Sequence, residues 1–439
     1  MKLFKSTTAL ALGLWSGLSL ASCPDFTSYY ERIETESELV LTELGEIFEY
    51  CLSSSEFFAL FGGIQLKTDR LQQALESLER ALLLNPDNGG ALVDYAEALL
   101  LDGQLFAAIE INEMLLARED IPGTLRVSIE DRQQAWVDLT NQTRLQLELF
   151  GGFDTNLNGA PEQENLALTL SGEPILLALS DDYRAVEGGY LSTRMSGSHR
   201  ILTPDLQHEI FGQIRSRNSN DSNSDSINVS GRYIQESNSG TQNRRWGVGV
   251  SHLSFQSDSI FTGTDVLLRA QLGQLGACAS YTGAVIQHQV WHSQRRLDGV
   301  EAKATFGASC NLASNRPQQF SMETSVLYNY ALNGDRLGGN RDGWQINLAW
   351  QTRAFRGIVR AQANHTSLDD EQGFNPLLNN NAARRVNRSS VLIQYREQAP
   401  WLIKGAEILF NAYHQAQKSN IELFEIDESL FEIGLIWAF

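Results

Sequence analysis

Glu432-Ile-Gly-Leu-Ile-Trp-Ala-Phe439 closes the chain, and the alternation of this stretch decides the fold. Positions 431, 433, 435, 437 and 439 are Phe, Ile, Leu, Trp and Phe, whereas the positions between them are Glu, Gly, Ile and Ala. One apolar face and one smaller, more polar face is the pattern of a strand in a lipid-facing barrel. A soluble protein would rarely end in this way, because an unpaired apolar strand edge aggregates. The stretch therefore predicts a strand of a transmembrane β-barrel.

The same alternation continues from about Arg144 to the end of the chain. Trp344, Ile346, Leu348 and Trp350 face one way, with polar or small residues between them. Short and longer connecting segments mostly alternate, as periplasmic turns and extracellular loops do in bacterial barrels. The pattern predicts fourteen antiparallel strands, an even number as bacterial barrels usually have. The strand centres are expected near residues 149, 194, 211, 230, 249, 267, 284, 305, 325, 348, 361, 393, 409 and 435.

The terminal stretch also resembles the signal that the outer-membrane barrel-assembly machinery reads. The residues that carry this resemblance are Glu432, Gly434, Trp437 and the final Phe439. It implies that the barrel-assembly machinery and outer-membrane lipid are partners of the chain. It also implies the outer membrane of a Gram-negative cell as the location.

Residues 1–21 have the pattern of a secretory signal peptide. Lys2 and Lys5 precede an apolar run from Ala9 to Leu20, which is too short to be a membrane-spanning helix. Cleavage after Ala21 fits the small residues there. Leu20-Ala21-Ser22-Cys23 also resembles a lipobox, in which Cys23 would be lipidated. Cleavage and lipidation both stay open at this point.

The four cysteines, Cys23, Cys51, Cys278 and Cys310, divide into two local pairs. An exported protein in an oxidising compartment favours disulfides, so we predict Cys23–Cys51 and Cys278–Cys310. The midpoint of Cys278 and Cys310 is residue 294, inside a segment that reads as the connection between two strands. Residues equidistant from the turn of an antiparallel hairpin face each other. The second pair is therefore expected to be a cross-strand disulfide.

Charge separates the front of the chain from the back. Residues 22–142 hold 23 Asp and Glu against 7 Lys and Arg, a net charge of −16. Residues 143–439 hold 30 acidic and 25 basic residues, a net charge of −5. So acidic a front domain does not bind nucleic acid or lie on anionic lipid. We therefore assign residues 22–142 to a periplasmic helical domain and 143–439 to the barrel.

The front domain contains a helical repeat. Ala74 and Ala108 lie 34 residues apart, the tetratricopeptide period, and each falls where two helices would pack closely. Two repeats between about 56 and 122 need caps, which helices at Tyr29–Tyr50 and Val127–Leu139 supply. The fold class is thus α + β, a tetratricopeptide-like domain before a fourteen-stranded barrel. Such repeats bind partners on a groove, and Tyr95 and Asn112 are the predicted exposed contacts.

The first predicted strand ends in Phe150-Gly-Gly-Phe-Asp-Thr-Asn-Leu-Asn-Gly-Ala-Pro161. An aromatic-Asp-x-Asn-x-Asn run at this place, after tetratricopeptide helices, resembles the surface lipoprotein assembly modulators (Slam proteins). The residues that carry it are Asp154, Asn156 and Asn158. The same run matches the first half of an EF-hand calcium loop, but the twelfth position is Asn165 rather than an acid. Asp and Asn side chains that bond a tight turn are the simpler interpretation.

The family resemblance implies an outer-membrane factor that helps a surface lipoprotein or a secreted protein cross the membrane. A polysaccharide exporter also couples tetratricopeptide helices to a barrel, and a passive porin or nutrient channel with a helical anchor is a further alternative. We predict no enzymatic activity, because no nucleophile, phosphate-loop or metal-ligand spacing stands out. No cofactor or metal is predicted. All seven histidines fall within the predicted barrel.

Overall fold

A computed structural model describes residues 23–170, 173–237, 243–256, 258–312, 316–402 and 404–439. The described chain divides into two compact units between Leu139 and Thr140. The first strand of the second unit begins at Asn141, two residues before the predicted start of the barrel at 143. The predicted signal peptide, residues 1–21, lies outside the described residues.

The first unit consists of six α-helices among the described residues. Its second and third helices pack as one pair, and its fourth and fifth helices pack as the next. The pairs repeat with the predicted period, since 89 − 55 and 105 − 71 are both 34. The helices are α1 Thr27–Ile47, α2 Ser55–Lys67, α3 Leu71–Leu84, α4 Gly89–Leu101, α5 Leu105–Leu116 and α6 Gly123–Thr140.

Small residues and left-handed turns make the repeat. Ala74 and Ala108 are fully buried, as predicted. Within each pair the turn passes through one left-handed residue, Asp69 with a φ of 58° and Gly103 with a φ of 83°. Left-handed backbone at the end of a helix lets the chain reverse tightly. The sequence pattern and the structure therefore agree on two tetratricopeptide-like units.

Both predicted capping helices are present, α1 in front of the repeats and α6 behind them. Val40 and Leu44 of α1 pack into the same core as Phe57 of α2, and all three are almost fully buried. Ile129 of α6 is buried against the last repeat. Apolar surface of the terminal repeats is thereby removed from water, which two repeats could not do alone. None of the helices in the described part of the chain is long and apolar enough to cross a membrane.

The second unit is a closed antiparallel barrel of fourteen strands, which confirms the predicted number. Each strand pairs with its sequence neighbours, and the first strand closes the barrel by pairing with the last. The two remaining strands, β2 Asn165–Leu170 and β3 Glu173–Ala178, form a separate hairpin after β1. The barrel strands are β1 Asn141–Asp154, β4 Gly188–Leu202, β5 Leu206–Ser219, β6 Ser226–Ser237, β7 Arg244–Phe255, β8 Asp258–Leu275, β9 Cys278–Trp291, β10 Gly299–Leu312, β11 Gln318–Ala331, β12 Arg341–Ala354, β13 Gly357–Gly373, β14 Ala383–Gln398, β15 Ala406–Ser419 and β16 Ile426–Ala438.

The two faces of the barrel wall differ as predicted. On β12, Trp344, Leu348 and Trp350 stand on the outer face and are 36–43% exposed. Asn347 points to the inside, where its side chain hydrogen-bonds Asn364 of β13. A continuous apolar outer face and a polar lumen suit a barrel that is surrounded by lipid. The second unit is therefore an outer-membrane type of barrel.

The closing seam between β1 and β16 is shorter than its neighbour. Asn141–Asp154 of β1 all pair with β4, but only Gln146–Asp154 pair with the residues of β16. The seam is extended by Phe439, whose backbone N–H donates to the carbonyl oxygen of Leu145 at 2.8 Å. The C-terminal residue therefore takes part in barrel closure.

Candidate functional site

Two inward-facing side chains reach across glycines to hold the seam together. Gly152 of β1 pairs with Tyr190 of β4 on one side and with Glu432 of β16 on the other. The Tyr190 hydroxyl passes over Gly152 and donates to Glu432 Oε1 at 2.7 Å. A Cβ atom at position 152 would lie 2.7 Å from Tyr190 Cζ, so only glycine leaves this path open. The hydrogen bond therefore joins three strands across the seam.

The second crossing is apolar and uses a glycine of the terminal stretch. Phe150 of β1 lies over Gly434 of β16 and packs with Leu409 and Ile436 in a small buried cluster. A Cβ atom at position 434 would lie 2.2 Å from Phe150 Cδ1. We call Tyr190, Glu432, Gly152, Phe150 and Gly434 the seam latch. It explains two glycines that the sequence placed in strands, where glycine often marks a close approach.

Charged groups surround the seam latch on the lumen side. Arg217 forms an ion pair with Asp154, which is fully buried, and lies 4.1 Å from the Tyr190 ring centroid. Arg215 lies 3.6 Å from Glu432, and Asn411 donates to the second Glu432 oxygen at 2.9 Å. Each buried carboxylate here has a cationic partner, as burial of charge requires. Asp154 at the end of β1 and Glu432 of the terminal stretch thus belong to one network.

The run from Asp154 to Asn158 forms the turn that leaves β1. The Asn156 backbone N–H donates to Asp154 Oδ1 at 2.8 Å, and Asn156 exchanges side-chain hydrogen bonds with the backbone of Ala160. Asn158 bonds the backbone of Arg184 and Val186 further along the same loop. These contacts agree with the turn interpretation of the motif. Among the residues that the structure describes, no group of three His, Cys, Asp or Glu could hold a metal ion.

The two other residues of the predicted assembly signal are Trp437 and Phe439, and Trp437 lies on the outer face of the seam. Trp437 pairs with Leu147 of β1 and with Ala406 of β15. Phe439 follows the last strand and is 75% exposed. Recognition of this stretch by the barrel-assembly machinery stays a prediction.

Both predicted disulfides are present. Cys23 and Cys51 are joined across 28 residues in front of the repeats. Cys310 stands directly opposite Cys278 in the hairpin of β9 and β10, so the predicted register is correct. Lipidation would consume the same Cys23 sulfur atom that the disulfide uses. The predicted cleavage site lies outside the described residues, so cleavage of the signal peptide stays a prediction.

One of the two predicted partner contacts in the helical unit is wrong. Asn112 of α5 is fully buried, because its side chain donates to the carbonyl oxygen of Ile129 and to Gln133. Its Oδ1 accepts a hydrogen bond from Arg132 Nε at 2.8 Å. Asn112 therefore positions Arg132 and cannot contact a partner. Tyr95 is half-buried and packs against the core of the repeats.

Arg132 and Asp94 form a charged site that the sequence did not reveal. The Arg132 guanidinium lies 4.9 Å from the Trp136 ring centroid and donates to the Val93 carbonyl oxygen, while its buried Nη2 has no hydrogen-bond partner among the described residues. Asp94 faces α2, where a Cβ atom at Gly63 would lie 2.6 Å from Asp94 Oδ2. The feature of the sequence that could have indicated this site is Asp94 itself, a single acid inside the apolar run Ala91–Ala96.

The electrostatics of this site are unusual for a helical repeat. Burial, together with the nearby carboxylate of Glu97, raises the pKa of Asp94 to about 6, although Arg132 opposes the rise. Burial also lowers the pKa of Arg132, with Glu97 and Asp94 opposing. Perturbed groups of this kind concentrate at functional sites. We call Asp94, Arg132 and Trp136 the helical-unit site.

The barrel lumen contains two polar cavities that meet at Tyr281 and Glu323. The first has a volume of 380 Å³ and is lined by charged side chains of both signs, including Arg232, Asp265 and Lys303. The second, of 390 Å³, has a mixed lining of polar side chains, such as Asn347 and Arg360, and apolar ones, such as Leu392. Their lining suits hydrated solutes rather than apolar ones.

Comparison with known proteins supports the architecture. A tetratricopeptide repeat model matches residues 65–120, which confirms the predicted repeat. No curated protein sequence matches the chain. Among solved structures, a loop-deletion form of OmpT, an outer membrane protein of Vibrio cholerae, is 9% identical with a TM-score of 0.35, covering 68% of this chain and 100% of its own. Acinetobacter baumannii OccAB3 is 7% identical with a TM-score of 0.35, covering 68% and 100%. These weak likenesses add nothing to the strand order described above.

Proposed function

We propose that this protein is an outer-membrane translocation or assembly factor for a specific protein client. The client is a surface lipoprotein or a related secreted protein, as the resemblance to the Slam family implies. The helical unit receives the client in the periplasm, and the barrel gives it access to the cell surface. The observation that carries the proposal is the presence of a tetratricopeptide-like unit and a closed outer-membrane type of barrel in one chain.

The helical unit supplies a chemically defined place for the client. Repeats of this kind bind extended segments or helices of other proteins. The buried Nη2 of Arg132 lacks a partner in the described chain, and Asp94 carries a carboxylate that burial disfavours. A client that donates hydrogen bonds to Asp94 and accepts one from Arg132 would satisfy both groups. Client binding would then be favoured, because it supplies the hydrogen bonds that these two groups lack in the unbound unit.

A passive solute channel is the second candidate. The two connected lumen cavities favour it, because their charged lining would accommodate hydrated solutes. A channel has no evident use for the helical-unit site, however, and this is why we prefer translocation. Polysaccharide export would use the same combination of helical repeat and barrel, and no further feature of the described residues favours it.

A variant pair tests the proposal in cells. Surface exposure of lipoproteins and secreted proteins encoded near the gene is measured by protease accessibility in a deletion strain. The strain is complemented with the native chain, with Asp94→Asn or with Glu110→Gln, an exposed acid on α5. We expect exposure of one client to fall in the deletion strain and with Asp94→Asn, but not with Glu110→Gln. Unchanged exposure of every neighbour in the deletion strain, together with reduced solute uptake, would favour the channel instead.

The route through the barrel can be tested separately. Gly151 of β1 and Ile433 of β16 stand opposite each other on the outer face of the seam. Cysteines at both positions, oxidised to a disulfide, would lock the seam without touching the lumen. Client exposure should be lost on locking if the client leaves through an opened seam, and kept if it passes along the lumen.

A further inference from the structure

Two arginines pair with one carboxylate on the inner face of the barrel, away from the seam latch, and a third arginine lies close to them. Arg341 begins β12, Arg384 lies at the start of β14, and Arg336 comes from the loop between β11 and β12. Arg341 Nε donates to Asp370 Oδ1 at 2.8 Å, and Arg384 Nη2 donates to the same oxygen at 3.1 Å. Arg336 Nη1 donates to Asn329 Oδ1 at 2.5 Å. We call Arg336, Arg341, Arg384 and Asp370 the arginine cluster.

The arginine cluster carries an excess of buried positive charge. Arg336, Arg384 and Asp370 are only 6%, 8% and 6% exposed. Arg341 and Arg384 both form ion pairs with Asp370, and Arg336 forms no ion pair among the described residues. Three guanidinium groups therefore share one paired carboxylate. Buried charges in proteins are normally paired, because removal from water is costly.

The geometry of the arginine cluster is fixed in advance. The Arg384 guanidinium lies against the rings of Phe374 and Phe424, at 4.7 and 4.4 Å from their centroids, and the two rings pack edge to face on each other at 4.9 Å. Arg336 is held by Asn329, whose amide in turn donates to Gln289 at 2.8 Å. The buried Nε of Arg336 has no hydrogen-bond partner within the described residues. Arg384 Nε and Asp370 Oδ2 also lack a hydrogen bond there, although they lie 3.1 Å apart as an ion pair. A fixed donor without an acceptor is the feature that an anionic ligand would complete.

We propose that the arginine cluster binds a small oxyanion, a phosphate or a carboxylate group, inside the barrel mouth. Guanidinium groups present planar forked donors that match both oxyanions and carry their charge permanently. The side chains lie on the lumen face of the wall, so a bound anion would come from the lumen rather than from the headgroups of the surrounding lipid. The site uses residues of the barrel unit alone, and its failure would leave the proposed translocation function untouched.

Titration calorimetry on the purified full chain in detergent tests the site. Inorganic pyrophosphate probes phosphate groups and citrate probes carboxylates, both at constant ionic strength. We expect the native chain to bind at least one of them. Arg336→Gln and Arg384→Gln should each weaken binding at least tenfold. The matched control is Arg385→Gln. Arg385 follows Arg384 directly on β14, but its side chain is 67% exposed and pairs with Asp369 instead of Asp370.

A variant that should tighten anion binding keeps the test decisive if an arginine variant fails to fold. Asp370→Asn removes the competing carboxylate, so it should tighten binding of the anion several-fold. Folding of every variant is checked by the shift in gel mobility between unheated and heated samples. Absence of binding by the native chain to both anions would overturn the proposal. So would equal weakening by Arg384→Gln and Arg385→Gln, or weaker binding by a folded Asp370→Asn.

Discussion

Replacing Asp94 with asparagine should stabilise the helical unit and at the same time remove a pH dependence. The pKa of Asp94 is about 6 in the folded chain, against an ordinary value of 3.8. The folded state therefore disfavours the charged carboxylate, and the stability that protonation contributes is present below pH 3.8 and lost as the pH rises through 6. In the native chain, the free energy of unfolding should fall with increasing pH across this window.

The size of the effect follows from the two pKa values. Their separation corresponds to about 3 kcal/mol as an upper bound. Only part of this appears between pH 7 and pH 5, where the same linkage relation gives about 1.4 kcal/mol. Asp94→Asn abolishes the titration, and at pH 7 it should add about 1 to 2 kcal/mol, because the site keeps some contact with water and the attraction to Arg132 is lost.

Urea unfolding of the full chain in detergent, followed by circular dichroism at 222 nm, reports mainly on the helices. The difference in unfolding free energy between the native chain and Asp94→Asn is compared at pH 5 and pH 7. Glu110→Gln is the control, and its difference from the native chain should not change with pH. A difference between native chain and Asp94→Asn that stays constant from pH 7 to pH 5 would refute the reasoning. If Asp94→Asn is more stable than the native chain and yet exposes less client at the cell surface, the loss of client exposure cannot be explained by unfolding of the variant.

Three further predictions concern the barrel and the disulfides. Gly434→Ala should weaken the seam by about 1 to 3 kcal/mol, because the added methyl group collides with Phe150. The folded band on the gel should then disappear at a lower temperature. Gly151→Ala is the control and should leave that temperature unchanged, because its methyl group meets no atom within 4 Å. Removal of Phe439, or Phe439→Asp, should reduce the amount of folded barrel in the outer-membrane fraction; recovery of the native chain in the soluble periplasmic fraction would contradict the assigned location. Peptide mapping without reductant should find both disulfides, and loss of Cys23–Cys51 should cost the helical unit about 3 kcal/mol; an acyl-glyceryl group on Cys23 would exclude that pair.

Local patterns explain why so much of the architecture follows from sequence. The strand alternation of β12 or β16 repeats every second residue, and each barrel strand pairs with its sequence neighbours, so the number of strands can be read along the chain. Cys278 and Cys310 could be placed opposite each other because β9 and β10 are sequence neighbours joined by one turn, and residues equidistant from that turn pair. The 34-residue period placed Ala74 and Ala108 in helix contacts. The exposure assigned to Asn112 was wrong because α6 covers that face of α5, and the repeat pattern carries no information about its cap.

Only the tertiary structure decided how the charged groups meet. The seam latch joins Tyr190 to Glu432, which lie 242 residues apart, and closure of the barrel alone brings them together. The arginine cluster draws on a loop and three strands, and its excess charge appears only when their inward faces are combined. Asp94 has a raised pKa only because the packing of α2 and its neighbours buries its carboxylate. The sequence by itself determined the repeat, the strands and the disulfides, because these depend on periodicity and short separations. Burial and pairing of charge depend on which distant segments meet, and the closed barrel and the packed helices determine that.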